Sequence, residues 1–154
     1  MSRGLLRTIF DPSSPHPMLK YALFLLFSIS LGSGEAQPIT NAPVECSAAQ
    51  FAQYLKEKPG QVVDVRTPEE QAKGIIAGAA MIDFSAGGFK EAAGEQLDKS
   101  KPVYVYCAAG GRSARAGKQL AEMGFTEVYD LVGGMEAWRE ADQPVVPPAS
   151  TPKR

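Results

Sequence analysis

Residues 103–113 read Val103-Tyr104-Val105-Tyr106-Cys107-Ala108-Ala109-Gly110-Gly111-Arg112-Ser113. Val and Tyr are strand formers, and four in a row make 103–106 the clearest strand signal in the chain. Helix formers begin at Arg112 or Ser113 and continue to Met123, where Gly124 occupies the left-handed position that ends a helix. The connection between strand and helix holds only Cys107, two Ala and two Gly. Such small residues let the backbone curl until successive amide N–H groups point inward and cradle an anion. The helix start adds unpaired donors and a partial positive charge. Cys107 sits at the floor of this cup, where a thiolate is stabilised. One helix dipole supplies only ~1 kcal/mol, so the convergent amides carry most of that tuning.

Working outward, strand and helix signals alternate. Ser47 opens a helix over 47–57, with Gln50 completing a capping box and Lys58-Pro59-Gly60 stopping it. Residues 62–65 are strand formers. Thr67-Pro68-Glu69-Glu70 starts a short helix, with Pro at its first position and Glu70 closing the box. A weaker strand follows at 79–82, then a helix at 89–97. Beyond the central unit come a strand at 127–131, a tight turn at Gly133-Gly134 and a helix at 135–141. From Gln143 onward the tail carries four Pro in twelve residues and is expected to be mobile. This alternation predicts an α/β fold, a mostly parallel sheet covered by helices on both faces. Ligands in such sheets bind outside the carboxyl ends of the strands, which is where Cys107 falls.

Composition narrows the chemistry. The chain has 154 residues, 44% of them apolar, enough for one core. Sixteen basic side chains against 17 acidic ones leave no basic field for nucleic acid. His16 is the sole His, and the two Cys are Cys46 and Cys107. A His-paired nucleophile, a His-rich metal cage and a multi-disulfide scaffold are excluded by counting. Lys20 precedes the apolar run 21–31, and the small or polar residues 32–36 follow it. These are the parts of a secretory signal over 1–36, with cleavage before Gln37. Eleven helical residues rise about 16 Å, roughly half the hydrocarbon thickness, too short for a span. A start at Met18 would give the compact basic region Met18-Leu19-Lys20. The organisation expected is a leader at 1–36, a linker at 37–43, the domain at 44–144 and a Pro-rich tail at 145–154, with the mature protein exported to periplasm or medium and touching membrane only through the leader.

At these motifs the chain resembles the single-domain rhodaneses, a sulfurtransferase family, and in particular its exported type similar to phage-shock protein E. The family's Cys-x-x-Gly-x-Arg-Ser loop matches Cys107 through Ser113. Its Asp-Val-Arg-x-Pro-x-Glu box matches Asp64-Val65-Arg66-Thr67-Pro68-Glu69-Glu70, and its Gly-Gly-x-x-x-Trp segment matches Gly133 through Trp138. The sequence departs from the family at Gly74-Ile75-Ile76-Ala77-Gly78-Ala79, which lacks a common His and Pro, and at the uncharged Ala108 and Ala109. The resemblance implies a rhodanese-like, five-stranded fold. It also implies transfer of sulfane sulfur through a Cys107 persulfide, without cofactor or metal. The donor would be a small sulfur-containing anion such as thiosulfate. The acceptor would be cyanide, a thiol or a protein.

Within this frame Cys107 is the nucleophile, and the amides of Ala108, Ala109, Gly110, Gly111 and Arg112 hold the bound sulfur. The Arg112 guanidinium is expected to aim at the donor anion, the alternative being a carboxylate partner that braces the loop. Asp64 is a buried brace, Arg66 a brace or a pocket rim, and Ser113 a support of the loop. Glu70 is a capping residue, and Trp138 and Phe125 belong to the core. Cys46 reads as a small buried hydrophobe, with a bridge to Cys107 as the alternative in an exported protein. Two rival functions remain: a Cys-dependent phosphatase or arsenate reductase, and a non-enzymatic persulfide carrier or redox module. Four residues separate Cys107 from Arg112, one fewer than in the phosphatase loop, which weighs against a seated phosphate.

Overall fold

The computed structural model describes residues 42–148; the expected leader and most of the linker lie outside the described residues. In chain order the elements are β1 (Val44–Cys46), α1 (Ala48–Glu57), β2 (Gln61–Asp64), α2 (Pro68–Gln71), β3 (Ala80–Met81), α3 (Phe89–Gln96), β4 (Val103–Tyr106), α4 (Gly111–Glu122), β5 (Val128–Leu131) and α5 (Gly134–Glu140). The five strands form one sheet in the order β1-β5-β4-β2-β3, and every strand pair is parallel. β4 is therefore central, flanked by β2 and β5.

Burial on both faces explains why β4 reads as an uninterrupted run of strand formers. Val103 and Val105 pack with Phe89 and Ala93 of α3 and with Ala116 and Leu120 of α4. Tyr104 and Tyr106 point the other way, toward Phe51 of α1 and Met135 and Trp138 of α5. The Tyr104 ring stacks on Tyr129 at 4.9 Å, and its hydroxyl donates to Lys58 O at 2.7 Å. Each buried aromatic thus covers apolar area while its polar end finds a partner.

Most expected boundaries fall within a residue or two. The α1 capping box is present, with Ser47 N–H donating to Gln50 Oε1 at 3.0 Å. Three features differ. The strand β1 had no separate signal: three residues, Val44 and Glu45 exposed, held by pairing with β5. α4 begins one residue earlier than expected, at Gly111. Backbone pairing also continues past Pro144 into the start of the expected tail, whose residues 149–154 lie outside the described residues. Ile75 N–H donates to Val146 O at 2.8 Å, and Val146 N–H donates to Ile75 O at 2.9 Å. Trp138 Nε1 donates to Pro144 O at 3.0 Å. Proline content signals the loss of backbone donors, yet Val146 keeps its own and uses it.

Candidate active site

Cys107 leaves the end of β4, and its surroundings are set by α5 as much as by its own loop. Met135 N–H donates to Cys107 O at 2.8 Å, and Glu136 N–H donates to Ala108 O at 3.0 Å. These bonds satisfy orphan donors at the start of α5 and turn both loop carbonyls toward it. The approach is so close that a Cβ on Gly134 would lie 2.4 Å from Cys107 O and 2.6 Å from Ala108 O. At the far end Gly110 has φ +96°, the left-handed turn that leads the chain into α4.

The amides are then free to face the sulfur. Gly110 N–H donates to Cys107 Sγ at 3.1 Å. The amides of Ser113, Arg112 and Ala109 and the Ser113 hydroxyl favour the charged form of the sulfur. Cys107 is only 2% exposed. Burial pushes the thiol pKa up, but these donors outweigh burial and hold it below the ordinary Cys value. Ser113, expected as a support, contributes both its amide and its hydroxyl. The hydroxyl donates to Gly110 O at 3.0 Å, which braces the turn into α4.

The Asp64–Glu70 box braces this loop from the β2 side. The buried Asp64 carboxylate accepts from Arg66 N at 3.0 Å, Arg66 Nε at 2.9 Å, Arg66 Nη2 at 2.6 Å and the Tyr106 hydroxyl at 2.7 Å. Arg66 spends its other donors on Glu70 O and Gly74 O, at 3.1 and 2.8 Å. It is a buried brace, and it also borders the cavity beside the loop. Arg112 does not aim a free guanidinium at the donor site as expected. Its Nη1 and Nη2 each donate to the Glu70 carboxylate at 2.7 Å, a bidentate pair. Glu70 therefore does more than cap α2: it accepts from Thr67 N–H at 2.9 Å and ties α2 to the Cys107 loop. The Arg112 hydrogen bonds lower its pKa to about 2.

Cys46 and Cys107 are both free thiols. Among the described residues no three His, Cys, Asp or Glu side chains gather in a way that could hold a metal ion. A cavity of about 200 Å³ adjoins the loop, bordered by Arg66, Glu70, Lys73, Ala108, Glu136 and Arg139. Sequence reasoning gave no role to Asp130, which is 4% exposed on β5, nor to the Gly134 contact with the loop. An acidic residue inside an otherwise apolar buried strand was the available signal for Asp130.

Comparison with known proteins agrees with this geometry. The family described as "Rhodanese-like domain" matches residues 47–141. The thiosulfate sulfurtransferase GlpE of Pseudomonas aeruginosa is 39% identical over 93 residues, covering 60% of this chain and 81% of that protein. A rhodanese-related protein of Thermoplasma volcanium superposes with a TM-score of 0.58 at 33% identity, over 67% of this chain and 97% of its own. A rhodanese-like domain protein of Staphylococcus aureus does so with a TM-score of 0.59 at 31% identity, over 69% and 99%. With a parallel five-stranded sheet, a Cys cup at its central strand and these relatives, the chain belongs to the rhodanese-like domain family.

Proposed function

We propose that this chain is a sulfurtransferase working by double displacement at Cys107. The thiolate attacks the sulfane sulfur of a small anionic donor, for which thiosulfate is the simplest choice. An S–S bond forms on Cys107 while the bond inside the donor breaks, and sulfite leaves with its electron pair. A thiophilic acceptor, cyanide or a thiol, then attacks the outer sulfur and frees the Cys107 thiolate. The observation that carries this reading is a buried sulfur at the end of β4 that accepts from Gly110 N–H at 3.1 Å, where the loop turns into α4. Backbone donors that favour a thiolate also suit the persulfide anion, which is one atom longer. The Pseudomonas relative, named as a thiosulfate sulfurtransferase, supports thiosulfate as donor. Lys73 and Arg139 at the edge of the neighbouring cavity supply positive charge that Ala108 and Ala109 lack.

The apolar run at residues 21–31 supports action outside the cytoplasm. Thiocyanate formation from thiosulfate and cyanide tests the activity, beside a phosphate-ester assay on the same sample. Thiocyanate turnover lost in Cys107→Ser, with negligible phosphate release, is the expected result. Phosphate-ester hydrolysis without sulfur transfer would replace this reading by a phosphatase.

A further inference from the structure

The cavity beside the Cys107 loop carries charges of both signs, and a small inorganic donor matches only one of them. Its volume of about 200 Å³ lies below the range of about 300–1,000 Å³ usual for drug-sized ligands, so it suits a molecule of amino-acid size. Ala108, the residue after Cys107, lines it. Two of its charged residues are already committed within the protein, Arg66 to Asp64 and Glu70 to Arg112. Three more, Lys73, Glu136 and Arg139, border the same space and join none of the ion pairs among the described residues. All three are exposed, so they can meet a ligand without unfolding anything. Their placement is ordered. Glu136 N–H donates to Ala108 O at 3.0 Å, which seats this acid beside the loop. Arg139 follows three residues later on α5, on the same helix face and about 4.5 Å farther along the axis. Its Nη2 donates to Lys73 O at 3.3 Å, which brings the residue bearing the second cation alongside. The cavity thus offers one anion next to the loop and two cations a helical turn away.

We propose that the sulfur acceptor taken here is a small amino-acid thiol, its carboxylate paired with Arg139 and Lys73 and its ammonium with Glu136. The inference rests on the reading of Cys107 as the sulfur carrier and names the class of molecule that unloads it. The acceptor thiolate attacks the outer sulfur of the Cys107 persulfide. A new S–S bond forms on the acceptor as the bond to Cys107 Sγ breaks, and Cys107 keeps that electron pair as a thiolate. The proton or charge on the outer sulfur travels with it, so no oxidant or further reactant enters. Thiosulfate, with no cationic group, leaves Glu136 unmatched; a zwitterionic thiol matches all three charges.

Sulfite release from thiosulfate reports turnover with every acceptor. In a double displacement, kcat/KM for the acceptor reflects the second transfer alone, so effects on the donor drop out. Cysteine, cysteamine (without the carboxylate) and N-acetylcysteine (without the ammonium) are compared per thiolate, each relative to cyanide on the same protein. Intrinsic thiol reactivity then cancels between the natural protein and its variants. Arg139→Gln should lower the relative kcat/KM of cysteine and N-acetylcysteine about fivefold, the loss of one partly solvated ion pair, and leave the cysteamine ratio where it was. Glu136→Gln should lower cysteine and cysteamine by a similar factor and spare N-acetylcysteine. Unchanged ratios in both variants, with cyanide turnover present, would overturn this assignment alone. No sulfite release with any acceptor, cyanide included, would overturn the sulfurtransferase reading and this assignment with it.

Discussion

At the scale of single residues, the site separates groups that touch the sulfur from groups that hold the loop. Cys107→Ser keeps nearly the same shape but offers a hydroxyl that is not ionised at neutral pH, so thiocyanate formation should fall to background while the fold survives. Cys46→Ser, at a thiol buried on β1 and away from the loop, should leave turnover within a few-fold. Glu70 contributes through its ion pair with Arg112. Its pKa, lowered to about 2 from 4.5, means that its stabilisation is present above pH 4.5 and is lost as pH falls toward 2. Glu70→Gln should therefore lower unfolding free energy by about 1 kcal/mol at neutral pH, the side chains being partly solvated, and the difference should close in acid. Urea titrations at pH 7 and pH 3 measure this. Asp130 has the opposite sign. Its raised pKa makes the natural protein lose stability as pH rises above the ordinary Asp value of 3.8. Asp130→Asn should gain stability at neutral pH, by about 1–3 kcal/mol if the orphaned oxygen bears its full desolvation cost, with little gain near pH 3.

At the scale of elements, the Cys107 loop and the start of α5 form one unit. Gly134→Ala puts a methyl group into Cys107 O and Ala108 O and demands φ +57° of a side-chain-bearing residue. It should cost about 1–3 kcal/mol and reduce sulfur transfer more than a surface change of equal cost, since the carbonyls that α5 holds would swing. Activity and denaturation measured on the same preparation separate the two effects. Inserting one Gly between Gly110 and Gly111 widens the ring, weakens sulfur transfer and is the change that should begin to admit phosphate or arsenate. This scale also shows what the sequence makes legible. The caps at Ser47 and Thr67 and the Cys107–Ser113 loop are local patterns, readable because their partners lie within a few residues. β1 and the Val146 pairing are not, because three-residue strands and single bridges exist only through distant partners. Pairing of Arg112 with a carboxylate was legible only as an alternative without a named partner, since 42 positions separate it from Glu70.

At the scale of the whole molecule, the order of the elements was legible from alternation alone, and the central place of β4 follows from its unbroken apolar run. What alternation leaves open is which strand sits beside which. The order β1-β5-β4-β2-β3 brings the Asp64–Glu70 box to one side of the Cys107 loop and β5 with Asp130 to the other. The molecule thus encloses one sulfur between two strand ends and two helix starts. The central claim is that this sulfur carries another. Intact mass of the full chain after brief exposure to thiosulfate, followed by peptide mapping, tests it directly. The account predicts a gain of one sulfur atom, located on Cys107, removed by cyanide and absent from Cys107→Ser. An unchanged mass, or a sulfur found on Cys46 instead, would contradict it.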